Sequence, residues 1–172
     1  MTWHRMVAGL IVVQAMGVAA MQGQSVSPDW VGTWRGTLEN FPARPGAAEV
    51  QVVREVGPLP EAPGACTTFR TTYIEGGTVR GTKEYRLCRE AEPGSYVVDE
   101  GDGIRLPARW MGDLLLAPFK YATTLLVVTT RVRGDVMEEE ILTAQDQPAT
   151  DAVVGLRAQG VQRLVLRRAP AQ

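Results

Sequence analysis

Histidine is almost missing from this sequence. The single one, His4, falls in a segment that reads as a leader, so the mature chain is expected to hold none. That removes the usual general base of Ser-His and Cys-His catalysis. It also removes imidazole as a haem or zinc ligand. Charge of one sign is lacking too: 18 Lys+Arg stand against 19 Asp+Glu, with no basic stripe or block. Nucleic acid is therefore not an expected partner. No apolar run reaches the ~20 residues a transmembrane helix needs, and no long stretch of helical period appears, which argues against an all-α fold. The fragment Asp99-Glu100-Gly101-Asp102-Gly103 looks like part of a calcium loop. Calcium takes about six or more oxygens, and the spacing fits a hairpin turn better. No metal and no cofactor are expected.

What is present starts with a basic residue, Arg5, followed by an apolar run over 6–20 broken only by Gly9, Gln14 and Gly17. Val18 and Ala20 supply the small residues before a cut. This is the pattern of a secretory signal peptide cleaved after Ala20, leaving one domain over 21–172 in the periplasm or outside the cell. An uncleaved membrane anchor is the alternative. In an exported chain the two cysteines, Cys66 and Cys88, are expected to form a disulfide; two buried free thiols are the other reading. The abundance of Ala, Arg, Gly and Pro points to a bacterial source.

Beyond the leader, short alternating runs are separated by Gly, Pro and Asp, which is the signature of an all-β fold. Strands are expected over 30–40, 48–56, 95–99, 104–110, 114–119, 123–132, 136–143 and 161–168, with a hairpin over 66–88. Thr150 or Asp151 offers a cap for a short helix near 150–158. About ten strands in hairpin order favour an antiparallel up-and-down barrel of eight to ten strands, because closure removes sheet edges. A β-sandwich is the alternative.

The hairpin over 66–88 centres on Glu75-Gly76-Gly77-Thr78, a turn signal because glycine reaches positive φ without strain. Pairing symmetric about Gly77 sets Phe69 opposite Tyr85, Arg70 opposite Glu84, Tyr73 opposite Gly81 and Cys66 opposite Cys88. Such cross-strand pairs reinforce a register, and directly opposed positions suit a disulfide.

The run Trp30-Val31-Gly32-Thr33-Trp34 resembles the Gly-x-Trp signature of lipocalins and related calycin barrels. The resemblance implies that Trp34 plugs one end of the barrel. It also implies that a basic residue of the last strand, Arg167 or Arg168, packs across the indole as a cation–π contact. Haem-binding members of the wider group use a histidine that the mature chain is expected to lack.

Two charges interrupt apolar faces. Arg54 shares parity with Val50, Val52 and Val56; Lys83 shares parity with Val79, Tyr85 and Leu87. A charge aimed into a core is expensive unless paired. One resolution is a hydrated cavity that receives an anionic head group, lined by Phe69, Tyr73, Tyr85 and Trp110. The other is an outward bulge, or pairing with Glu138, Glu139 or Glu140, with the aromatics as plain core.

The first functional expectation is thus an exported barrel that binds a small apolar or amphipathic ligand. The alternative is an exported interaction protein, such as a protease inhibitor acting through the arm over 21–28 upon an exported protein partner. An enzyme using carboxylates or tyrosine ranks last, and no catalytic residue is assigned. An integral membrane barrel is not expected: residues 78–89 and 136–143 carry charges on both faces, where such barrels need an apolar outer band.

Overall fold

The computed structural model describes residues 30–148 and 153–170. The leader, the arm over 21–28 and part of the expected helix lie outside these residues. Ten strands follow in order: β1 (Gly32–Phe41), β2 (Val50–Val56), β3 (Cys66–Glu75), β4 (Thr78–Arg89), β5 (Ser95–Gly101), β6 (Ile104–Met111), β7 (Leu114–Tyr121), β8 (Thr124–Arg133), β9 (Val136–Asp146) and β10 (Leu156–Arg168). Each pairs antiparallel with its neighbours in sequence, and β1 pairs with β10 to close the barrel. The expected all-β, up-and-down barrel is the observed fold, and the sandwich alternative is set aside.

The β3–β4 register is the one read from the sequence, with Cys66 opposite Cys88, Phe69 opposite Tyr85, Arg70 opposite Glu84 and Tyr73 opposite Gly81. The turn itself is shorter than symmetry implies. Gly76 and Gly77 form it alone, with φ of 55° and 78°, the positive pair that a two-residue hairpin turn requires. Glu75 pairs with Thr78, and the register shifts beyond Tyr73 so that Arg80 becomes the extra residue. Cys66 and Cys88 are joined by a disulfide with Cα atoms 4.0 Å apart.

The expected helix near 150–158 is corrected within the described residues. Leu156 opens β10 rather than ending a helix, and Leu156–Ala158 pair with Asp146–Ala144 of β9. A bulge between Ala158 and Gly160 resets the register before the run that the sequence pattern marked as a strand. The β9 backbone supplies partners that a short isolated helix would lack, and ladder bonds win over a weak local cap.

β1 lies close against β10. A Cβ at Gly36 would collide with the Val165 carbonyl, so the residue two beyond Trp34 must be small for the barrel to close here.

The interior is divided. At the closed end Trp30, Trp34, Leu87, Met137, Leu164 and Leu166 are fully buried. Trp30 meets Trp110 edge-on at 4.6 Å, Tyr96 meets Trp110 edge-on at 6.4 Å, and Trp34 Nε1 donates to the Trp30 carbonyl at 3.1 Å. Toward the other end the inward residues Leu38, Tyr73, Tyr85, Leu106 and Val128 are only partly buried. The seams are unequal: β4 pairs with β5 only over Arg86–Arg89, and β6 with β7 only over Arg109–Met111.

Candidate functional site

β2 alternates faces, so Val52, Arg54 and Val56 all point inward and all are buried. Arg54 is 3% exposed and Glu139 of β9 is 5% exposed. Their pairing is bidentate: Nη2 donates to Oε1 at 2.9 Å and Nη1 to Oε2 at 3.1 Å. The remaining valences are filled as well. Arg54 Nε donates to Thr71 Oγ1 at 2.5 Å, and Thr130 Oγ1 donates to Glu139 Oε2 at 2.9 Å. Phe69 lies beneath the guanidinium, 4.5 Å from Cζ to ring centroid. A buried ion pair is tolerable only with this degree of satisfaction. Arg54 is therefore engaged by a carboxylate, which is the pairing the sequence offered as one resolution of its placement.

Lys83 sits differently. It shares the inward face of β4 with Tyr85 and Leu87, yet it is exposed, because β4 there extends past the end of its pairing with β5. Its Nζ lies 5.6 Å from the Tyr85 ring and 5.8 Å from the Tyr73 ring. No carboxylate pairs with it among the described residues. Burial pushes the Tyr73 phenol up, with the Arg54 charge opposing and Glu139 adding to the shift. Burial also pushes the Tyr85 phenol well above its ordinary value, and the charge of Glu100 and its hydrogen bond with that carboxylate push it further. At neutral pH both phenols are neutral, and both rings flank the cation.

The six ligand-site candidates thus separate into three groups. Tyr73, Lys83 and Tyr85 come together at the open end. Arg54 and Phe69 form a floor beneath them. Trp110 is 5% exposed and belongs to the closed end, where its Nε1 has no hydrogen-bond partner among the described residues. Sequence reading did not single out Thr71 and Thr130. Their parity with Phe69 and with Val128 was the available signal, but nothing local marked them as partners of a buried charge.

At the closed end Arg168 lies 4.1 Å from the Trp34 ring centroid and donates from Nη1 to the Val31 carbonyl at 2.7 Å. Arg167 points to the outer wall and is exposed. A cavity of about 980 Å³ also opens on that outer wall, among Thr33, Arg35, Val53, Glu55, Thr72 and Arg167. Asp99, in the calcium-like fragment, is turned to internal donors. It accepts from the Gly101 backbone N–H at 3.0 Å and from Arg86 at 2.6 Å. Those bonds, the Gly101 N–H foremost, hold its carboxyl below the usual range.

The ten closed strands agree with a calycin-like architecture at the level of a barrel, although lipocalins themselves have eight. No family model, no curated protein and no solved structure matches this chain.

Proposed function

We propose that this protein is an exported binding barrel that takes a small amphipathic ligand at its open end, with the ligand's anionic group toward Lys83. The observation that carries this reading is a cation with no carboxylate partner among the described residues, flanked by two tyrosine rings over a floor whose own charges cancel. An anion arriving there gains a charge-assisted bond to Lys83 and a phenol hydrogen bond from Tyr73, while the Tyr85 hydroxyl stays engaged with Glu100. Leu38, Leu106 and Val128 offer apolar contact to the remainder of the ligand. The filled closed end makes the site shallow, so the ligand is held at the mouth rather than swallowed.

The disulfide supports an oxidising compartment, in keeping with a leader over 1–20. Ion pairs on the outer wall, such as Arg163–Glu140, Arg70–Glu55 and Lys120–Asp146, support a barrel surrounded by water, since a lipid-facing band excludes them. A second reading is an exported interaction protein, and the filled lower interior favours it.

Native mass spectrometry of protein exported by its own host, together with titration of a fluorescent fatty-acid analogue, tests the first reading. Saturable binding weakened about tenfold by Lys83→Gln, which corresponds to ~1.4 kcal/mol, is the expected result. A bare protein that binds no anionic amphiphile would move the search to protein partners.

A further inference from the structure

The β3–β4 hairpin outruns its neighbour on one side only. β2 covers β3 from Phe69 to Glu75. β5 covers β4 only from Arg86 onward, so among the described residues nothing pairs with the outer edge of Thr78–Tyr85. The direction of its backbone groups follows from the ladder below. The Arg89 N–H and C=O bond the segment leading into β3, through Ala65 and Gly64, whereas the Glu90 N–H bonds Ser95 on the β5 side. Antiparallel strands alternate these directions residue by residue. Thr82 and Glu84 therefore aim their N–H and C=O groups at the open edge, where they have no strand partner.

We propose that this edge pairs with the same edge of a second copy of the chain, antiparallel and centred on Thr82. In that register Thr82 faces the second copy's Thr82. Arg80 faces the second copy's Glu84, and by symmetry Glu84 faces its Arg80. Opposite charges directly across an antiparallel pair stabilise the register, and like charges there oppose it. On the other face Lys83 falls opposite Gly81, which has no side chain to obstruct it. A lysine on an edge normally discourages pairing with foreign strands. Here it is accommodated by the chain's own glycine, so the same residue that repels other edges admits this one. The contact is isologous and closes as a dimer rather than a filament.

Each charged partner already has an internal neighbour: Arg80 contacts Glu75 at 2.9 Å, and Arg70 contacts Glu84 at 3.5 Å. The pairing would join these two contacts into one chain of alternating charge. Arg80 and Glu84 are well exposed, so replacing either leaves the barrel interior untouched. The inference is independent of ligand binding at the mouth.

Sedimentation velocity on the full exported chain, across a concentration series into the high micromolar range, tests it. The native chain should shift from monomer to dimer. Arg80→Glu alone sets two Glu–Glu contacts at the axis, and Glu84→Arg alone sets two Arg–Arg contacts, so each should remain monomeric at every concentration. An equimolar mixture of those two variants restores both opposite-charge contacts and should dimerise, with native mass spectrometry finding mixed dimers in large excess over like ones. Circular dichroism and an intact disulfide mass confirm that both variants are folded. A native chain that stays monomeric overturns the proposal. So do variants that dimerise as the native chain does, and so does a mixture that remains monomeric.

Discussion

Arg54 and Glu139 grip each other through two hydrogen bonds inside the barrel, one from β2 and the other from β9. Between those strands run β1 and β10, so the pair ties the wall across the seam that joins the first strand to the last. Removing one partner strands the other charge among Phe69, Thr71 and Thr130. Glu139→Ala is expected to lower the unfolding free energy by about 3–5 kcal/mol. The double replacement Arg54→Met with Glu139→Leu should recover most of that loss, because neither charge then stays buried alone. Urea unfolding followed by tryptophan fluorescence reads both. Equal losses in the single and double variants would contradict the assignment.

The two basic residues that end β10 should separate cleanly. Arg168→Ala loses its stacking on Trp34 and its bond to Val31, and about 1–2 kcal/mol of stability with them. Arg167→Ala, on the outer wall, should stay within about 0.5 kcal/mol of the native protein. Thermal melts of both variants side by side decide it.

Alkaline pH should weaken the fold. Tyr73, Tyr85 and Tyr96 all have phenols raised above the ordinary value of 10.0, in each case mainly by burial. The native state therefore holds these protons more tightly than the unfolded chain does. Their contribution is fully present below pH 10 and is lost as the pH climbs through the native values. Unfolding free energy measured against pH should fall above about pH 10. Tyr85→Phe should flatten part of that fall, and Glu100→Gln should lower the pH at which Tyr85 ionises. An unchanged slope in Tyr85→Phe would show that the burial assigned to this phenol is wrong.

The disulfide closes a loop with a sequence separation of 22. On the chain-entropy account such closure is worth about 3 kcal/mol. Cys66→Ser with Cys88→Ser should show that loss in urea unfolding, and native protein under strong reductant should show the same. A difference below about 0.5 kcal/mol would mean that the native bond is strained or the unfolded chain already compact.

The parts of this structure legible in the sequence are those fixed by contacts close along the chain. The Cys66–Cys88 register could be read because Gly76-Gly77 sets a turn and three kinds of matched pair agree with it. The inward parity of Arg54 could be read because β2 alternates without interruption. Its partner could be narrowed only to Glu138, Glu139 or Glu140, since the choice depends on how β9 is turned relative to a strand far away in the chain. Trp110 is an aromatic like Tyr73 and Tyr85, but it stands one residue from the end of β6, at the closed end against Trp30. The expected helix near 150–158 failed for a related reason: the partners of Leu156–Ala158 lie on β9, and no cap signal reports them. Lys83 had the right face, yet its exposure depends on β5 ending early, which is a property of the neighbour.

The unequal seams give the wall a door. The β5–β6 hairpin is held by four registered pairs on the β4 side and three on the β7 side, whereas β8 and β9 share ten. Opening free energies follow such differences in local bonding, so the wall yields here first. The latch is Trp110, which this hairpin carries inward to rest edge-on against Trp30. The nearer jamb is stiffened by Cys88, which lies in β4 directly across from Val97 of the door. Amide hydrogens of β5 and β6 should therefore exchange together and ahead of those in β8 and β9, at a rate set by how often one indole leaves its seat.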